Sequence, residues 1–212
     1  MSEPSTPTGR FLNDNGLSLA LMALFVLTLA GQAATGWWAY DAARVAARLA
    51  GVGFAAYLGT GNFLDGLFSN WQAAVLQLAV LISLGAVLRQ KGATHSRQPG
   101  DDDDPGRGDH GWVYAHSLAL AFAALFAVTF AGHLVCGAMK YNEDQALQHL
   151  PPVDLGTYAA SPAFWFSAFQ CWEAEFAVIG IYVVFSIFLR QEASPESKPV
   201  DASDEQTGGA NE

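Results

Sequence analysis

Long apolar runs, rather than alternating or amphipathic patterns, dominate this chain. Residues Gly16 to Ala39 include no ionised side chain, and Ala115 to Met139 include only two histidines that titrate near neutral pH. About 20 such residues cross the hydrocarbon core of a bilayer. Both runs are therefore predicted to be transmembrane helices, TM1 over about 16–39 and TM3 over about 114–139.

The second apolar run of each half is shorter and follows more polar sequence. Ala73–Leu88 and Phe176–Leu189 are almost uniformly apolar, and a basic residue follows each of them. Beside a spanning helix, such runs favour two further spans over buried soluble helices. They predict TM2 over about 64–89 and TM4 over about 164–190, with short interfacial helices between the spans at Asp41–Leu49 and Glu143–Leu150.

The two halves of the chain resemble each other. A shift of 101 positions aligns residues 11–90 with 112–191 without a gap, and 21 of the 80 pairs are identical. Each unit, 11–91 or 112–191, holds an even number of spans, so both enter the membrane in the same sense and form parallel repeats. The predicted fold class is an all-α membrane protein with four transmembrane helices, arranged as two parallel helical-hairpin repeats.

The remaining segments are polar. Residues 1–10 and 192–212 are predicted to be disordered tails and 92–111 an acidic linker, because such compositions cannot bury a core. These segments carry most of the net charge of −10. Seven basic residues lie in these segments and at the helix ends next to them, against three in the connections within each unit, which predicts cytoplasmic termini in a bacterial inner (plasma) membrane. Nothing in the sequence indicates nucleic-acid binding.

Small and aromatic residues indicate where helices pack. Gly31 and Gly132 occupy equivalent positions in the first helices, where a small side chain lets neighbouring backbones approach closely. Trp71 and Trp172 are equivalent positions in the second helices. We interpret all four as packing residues.

Five polar residues, Gln32, Gln72, His133, Glu173 and Glu175, are predicted to lie in the outer third of the membrane. Polar groups at such depth are costly and indicate a functional site, here a polar pocket or a proton-linked site. The alternative is that they form hydrogen bonds between helices or reach the headgroups. The two glutamates lie about 200° apart around a helix, so both cannot face one site, and the deeper Glu175 is favoured. All the titratable members belong to the second unit.

Other chemistries find no support in the sequence. The histidines are too far apart to share a metal or a haem, so no metal and no cofactor are expected. No nucleophile–base arrangement is recognisable, so an enzyme is not expected. Cys136 and Cys171 both fall near the outer face, where packing thiols are favoured over a disulfide.

Asn70-Trp71-Gln72 followed by Gln77, together with Gly31-Gln32 and Gly36-Trp37, resembles an uncharacterised family of bacterial integral membrane proteins. Its members have about the length of this chain and carry a domain of unknown function. Members of the family tend to show Trp-Gln-x-Glu-Phe in the second helix of a unit. The second unit is similar, with Trp172-Glu173-Ala174-Glu175-Phe176, while the first unit reads Trp71-Gln72-Ala73-Ala74-Val75 and lacks the acid. The resemblance implies a membrane location, and it does not point to any particular activity.

The leading hypothesis is a small transport or permeation component, with the lipid bilayer as its surroundings and an unknown small molecule or ion as its substrate. A homo-oligomer is left open. The alternative is a non-catalytic membrane scaffold or stress-related accessory protein, whose polar groups only hold helices together.

Overall fold

The fold comes from a computed structural model that describes residues 7–96 and 111–208. Within these ranges the chain is helical and contains no strand. The outermost parts of both predicted tails, at 1–6 and 209–212, and most of the predicted linker, at 97–110, lie outside the described residues. The helices are α1 Pro7–Asp14, α2 Gly16–Ala46, α3 Phe54–Tyr57, α4 Gly61–Gly85, α5 Trp112–Ala115, α6 Ser117–Leu147, α7 Leu155–Ala159 and α8 Pro162–Phe188.

Four of these helices, α2, α4, α6 and α8, are long and apolar enough to cross a membrane. The prediction of an all-helical fold with four long apolar helices is therefore confirmed. The arrangement as two parallel repeats stays a prediction. We call the end at which α3 and α7 lie the connection end, and the end at which α4 and α8 finish the terminal end.

The first long helix of each half extends beyond its predicted span. The sequence predicted separate interfacial helices at Asp41–Leu49 and Glu143–Leu150, but α2 runs on to Ala46 and α6 to Leu147. The prediction was wrong because nothing breaks the helix there, and both stretches are rich in alanine, arginine, glutamine and other strong helix formers.

Both extended helices end in the same way, at a residue with left-handed backbone conformation. Arg48 has φ 60° and His149 has φ 59°. The following amide donates back into the helix, from Leu49 N to Arg44 O and from Leu150 N to Gln145 O, each at 2.9 Å. This is the hydrogen-bond pattern of a Schellman C-cap, which satisfies carbonyl groups that the helix would leave free.

The second long helices end earlier than predicted. TM2 was predicted to reach 89, but α4 finishes at Gly85, and α8 finishes at Phe188 rather than at 190. Glycine weakens a helix, and the chain then turns. The turn is closed by the Gln90 amide, which donates to Ser96 Oγ at 2.8 Å.

The most extensive helix contact is the antiparallel one between α4 and α6. Glycine allows it at two levels. A Cβ on Gly61 would collide with the backbone of Lys140, and a Cβ on Gly132 would stand 2.5 Å from the Phe68 ring. By contrast, a Cβ on Gly31 in α2 would have no atom within 4 Å. The two backbones are therefore in direct contact at Gly61, and at Gly132 the Phe68 ring lies against the α6 backbone.

Helix α8 lies beside α4 and runs in the same direction, and α2 lies at the periphery. The indole of Trp172 in α8 donates to Gln72 Oε1 in α4 at 2.7 Å. Helix α2 touches α4 through Phe25 and Trp71, whose ring centroids are 6.1 Å apart. The bundle is thus built around α4, with α6 and α8 against it.

The segment after α8 was predicted to be disordered, and its described part, 192–208, follows a series of turns beside the 90–96 loop. Lys198 is only 1% exposed. Its ammonium donates to the carbonyl oxygens of Gly92 at 2.8 Å, Gln206 at 3.1 Å, and Ser203 and Asp204 at 3.2 Å. Burial and the nearby Arg190 lower the pKa of Lys198, while Asp204 raises it.

Glycine-to-alanine substitutions should rank by what the new methyl group meets. Gly61→Ala should destabilise the fold most, by about 1–3 kcal/mol, because a helix backbone cannot rotate away. Gly132→Ala should cost less, because the Phe68 ring can shift. Gly180→Ala, which meets nothing within 4 Å, is the control and should be neutral or stabilising by up to about 1 kcal/mol. Unfolding in detergent measures the series, and equal effects at all three positions would contradict the close contact.

Candidate functional site

The interior between α4, α6 and α8 is lined by polar side chains at helical spacing. Residues four and then three positions apart share one face of a helix, so each stripe points at its neighbours. The polar side chains on this face of α4 are all buried, and so are Thr129 and His133 on α6. We call the following residues the polar core: Asp65, Ser69 and Gln72 on α4, Thr129 and His133 on α6, and Ser167 on α8.

Three ionisable side chains meet at the connection end of the polar core. Asp65 Oδ1 lies 3.6 Å from His133 Nε2, and Asp65 Oδ2 lies 3.4 Å from Lys140 Nζ. The side chain of His133 is fully buried and that of Asp65 is 9% exposed, whereas Lys140 is 41% exposed. The carboxylate is therefore held between a buried imidazole and a partly exposed ammonium.

Two atoms of this cluster lack a hydrogen-bond partner among the described residues, Asp65 Oδ1 and His133 Nδ1. The imidazole Nε2 lies 3.3 Å from Ser167 Oγ on α8. Most buried polar atoms in proteins are hydrogen bonded, so each unpaired one calls for an explanation such as a proton, a water molecule or an ion. The Asp65–His133 pair has the chemistry to exchange a proton, because a carboxylate oxygen and an imidazole nitrogen can each accept and release one.

Glu143 binds the first turn of α4. Its Oε1 accepts from the Gly61 amide at 2.7 Å and its Oε2 accepts from the Asn62 amide at 2.8 Å. The first amides of a helix have no partner within the helix and carry partial positive charge, so a carboxylate stabilises them. This contact fixes the start of α4 against the end of α6.

Tyr158 in α7 lies over the same cluster. A Cβ on Gly137 would stand 2.6 Å from the Tyr158 hydroxyl and 3.0 Å from Asp65 Oδ1, so this glycine leaves room for both groups. Burial, followed by the negative charges of Asp65 and Asp144, raises the pKa of Tyr158 to about 12. The phenol therefore stays protonated over the ordinary pH range.

Deeper in the bundle, Gln72 is fully buried and its amide is satisfied. It accepts from the Trp172 indole at 2.7 Å and donates to the carbonyl oxygen of Ser69 at 3.1 Å. Trp172 also packs against Phe130, with ring centroids 6.1 Å apart. This end of the polar core is therefore a closed hydrogen-bonded contact between α4 and α8.

The five predicted site residues do not form one cluster. Gln72 and His133 belong to the polar core, while Gln32 is half-buried on α2, with its Nε2 beside Gly66. Glu175 is half-buried on the face of α8 that carries Ser167, and Glu173 is exposed. Their placement in the outer third of a membrane stays a prediction.

Sequence reasoning missed Asp65, Lys140 and Glu143. Among the five predicted residues only the second unit supplies titratable groups, but Asp65, which contacts His133, comes from the first unit. Its spacing from Ser69 and Gln72 is the helical repeat that could have found it. The contacts of Lys140 and Glu143 depend on which helices are neighbours, and the sequence contains no signal for that.

A separate cavity of about 470 Å³ lies between α4 and α8 at the terminal end. Its walls are mostly apolar, with Gln77 at one end and Arg89 and His95 near the other. Gln77 follows Gln72 by five residues, about 7.5 Å along the helix. The cavity and the polar core are thus neighbours along α4.

The described residues contain no cluster of three or more histidine, cysteine or acidic side chains that could hold a metal ion. Cys136 is a buried free thiol and Cys171 a half-buried one. What the arrangement can do chemically is bind and exchange protons at Asp65 and His133.

Comparison with known proteins identifies a family and no function. A family model described as "Domain of unknown function (DUF6766)" matches residues 8–209. No curated protein and no solved structure matches the chain.

Replacing Glu143 tests the contact at the start of α4. Glu143→Ala should lower the free energy of unfolding by about 2 kcal/mol, because two hydrogen bonds to a charged group are lost. Hydrogen exchange should accelerate at the Gly61 and Asn62 amides. The effects of Glu143→Gln should fall between those of the unmodified chain and Glu143→Ala. Asp154→Ala, which removes an exposed cap of α7, is the control and should leave those amides protected. Unchanged exchange in Glu143→Ala would contradict the assignment.

Proposed function

The chain belongs to the DUF6766 family, and from this premise we propose that it is a multi-pass membrane protein that conducts protons, as a small permeation or transport component. The observation that carries the proposal is the buried Asp65–His133 pair with two atoms free of hydrogen bonds. The four long apolar helices support the membrane setting. The distribution of basic residues supports cytoplasmic termini and a bacterial inner membrane.

Ionisable groups within spanning helices are costly, and carboxylate and histidine chains are typical of proton relays. Asp65 and His133 suit this role because a carboxylate can accept a proton, and an imidazole can take up a proton at one ring nitrogen and release one from the other. Lys140 is partly exposed at the connection end and contacts the same carboxylate. A proton can therefore enter at Lys140 and Asp65 and continue to His133.

From His133 the route descends along α8 and α4. Ser167 contacts the imidazole, and Glu175 lies on the same face of α8 two turns further along. Gln77 lines the end of the cavity that lies towards the polar core, and His95 lies near the other end. In this route the polar core, Glu175 and the cavity follow one another between the two ends of the bundle, and the closed contact between Gln72 and Trp172 lies among them. Opening that contact is the step that conduction requires.

The second candidate is a membrane scaffold, and the Glu143 contact favours it. The carboxylate of Glu143 and the Lys140–Asp65 ion pair both join α4 to α6. Removing the partner of a buried carboxylate such as Asp65 leaves its charge uncompensated and is destabilising, so these groups can serve stability alone. The two candidates differ in what a charge-neutral substitution of Asp65 does to flux and to folding.

Proton flux into liposomes tests the proposal. The purified chain is reconstituted with a trapped pH-sensitive dye, and a potassium diffusion potential drives the flux. Asp65→Asn and His133→Gln should lower the rate by about 100-fold, the contribution typical of a positioned proton-transfer group. Asp154→Asn, at an exposed cap, should conduct like the unmodified chain.

Folding is measured on the same samples by thermal unfolding and by size-exclusion chromatography. Loss of flux in variants that remain folded supports conduction. Flux no greater than that of empty liposomes, or full flux in both variants, sinks the proposal. If the unmodified chain shows no flux and Asp65→Asn unfolds, the scaffold candidate takes its place.

A further inference from the structure

One close contact between α4 and α6 has an open counterpart elsewhere on the chain. Phe68 on α4 lies against Gly132 on α6. At positions 101 residues away stand Phe169 on α8 and Gly31 on α2. Phe169 is 56% exposed, and Gly31 has no atom within 4 Å of a would-be Cβ. A protruding ring and a matching bare backbone therefore remain uncovered.

A polar contact repeats the same pattern. The Trp172 indole donates to Gln72 Oε1 at 2.7 Å. The positions related by the shift are Trp71, exposed on α4, and Glu173, exposed on α8. Neither side chain takes part in a hydrogen bond among the described residues. The Trp71 indole is thus a donor without an acceptor, and the Glu173 carboxylate is an acceptor without a donor. They stand at the positions equivalent to Trp172 and Gln72.

Glu173 cannot simply face lipid. It lies 11 residues into α8, about 17 Å from the start of the helix, within a segment apolar enough to span a membrane. A carboxyl group at such a depth is costly unless it is paired or solvated. Phe169 and Glu173 are four residues apart, so one face of α8 carries both.

We infer that a second copy of this chain covers this face: α8 of one copy packs on α2 and α4 of the next, as α4 packs on α6 and α8 within the chain. In this arrangement Phe169 lies against Gly31 of the second copy, and Glu173 accepts from its Trp71 indole. The contact is head-to-tail, so it closes into a ring of copies when the rotation between copies permits it. The inference depends on packing and not on proton conduction.

The contact between copies lacks the ionic groups of the contact within the chain. The positions that correspond to Asp65, Lys140 and Glu143 are Phe166, Ala39 and Ala42. Phe166 is 70% exposed, and Trp38, on the α2 face that also bears Gly31, is 64% exposed. Association therefore rests on apolar packing and one hydrogen bond, which makes it weaker than the contact between α4 and α6.

Cysteine cross-linking in membranes tests the arrangement. Two differently tagged chains, both with Cys136→Ala and Cys171→Ala, carry Gly31→Cys and Phe169→Cys respectively. We expect a disulfide between the two tags on mild oxidation. Gln170→Cys in place of Phe169→Cys is the matched control, since it lies at the same depth about 100° around α8, and it should not cross-link. Phe68→Cys with Gly132→Cys in one chain should form a disulfide within that chain.

Substitutions at Glu173 separate hydrogen bonding from charge. Glu173→Gln should retain association, because glutamine is the acceptor that the contact within the chain uses, whereas Glu173→Ala should raise the dissociation constant about three- to tenfold. Gly31→Leu, which fills the bare backbone position, should dissociate the copies without unfolding the chain. Co-purification of two tags in detergent measures each variant.

The inference fails if Gly31→Cys and Phe169→Cys form no disulfide between tags, or if the pair reacts only when both stand in the same chain. It fails equally if Gly31→Leu leaves co-purification unchanged. Glu173 lies outside the polar core, so the two tests are independent. If the copies associate but the chain shows no proton flux, the proposed function is overturned and this inference stands.

Discussion

The contact on which the structure depends is the approach of α4 to α6 until their backbones touch. Gly61 and Gly132 make this distance attainable, because any side chain at these positions would meet the Lys140 backbone or the Phe68 ring. In an apolar solvent helices gain nothing from hiding hydrophobic surface, so close packing and polar contacts between helices must hold them together. The α4–α6 pair has both.

The same closeness explains why charge can be buried there. Asp65 reaches His133 and Lys140 only because α4 lies directly on α6, and Glu143 reaches the first amides of α4 for the same reason. Each of these groups would be costly alone in a medium of low polarity. Held together they compensate one another, apart from two unpaired atoms, and the site retains the capacity to exchange a proton.

Sequence patterns were sufficient for the number and type of the long helices, since runs such as 16–39 leave no other interpretation. They were insufficient for helix partners: the apolar residues of α6 are spread around the helix, so no single face of it predicts a neighbour. Asp65 was therefore overlooked, although its spacing from Gln72 is helical. The sequence did not predict the end of α2, because the turn that ends the helix has Arg48 in a left-handed conformation that arginine rarely adopts.

Positions related by the shift of 101 residues also differ in a systematic way. The second helix of the first half and the first helix of the second half carry the charged groups that meet each other, Asp65 on one side and His133, Lys140 and Glu143 on the other. The outer helices carry Phe166, Gln32, Ala39 and Ala42 at the corresponding places. Charge pairs resist separation once they are buried, whereas apolar faces in lipid part at small cost. Because these ionic groups occur only at the junction inside the chain, they strengthen that junction, and the corresponding places on α2 and α8 carry none of them.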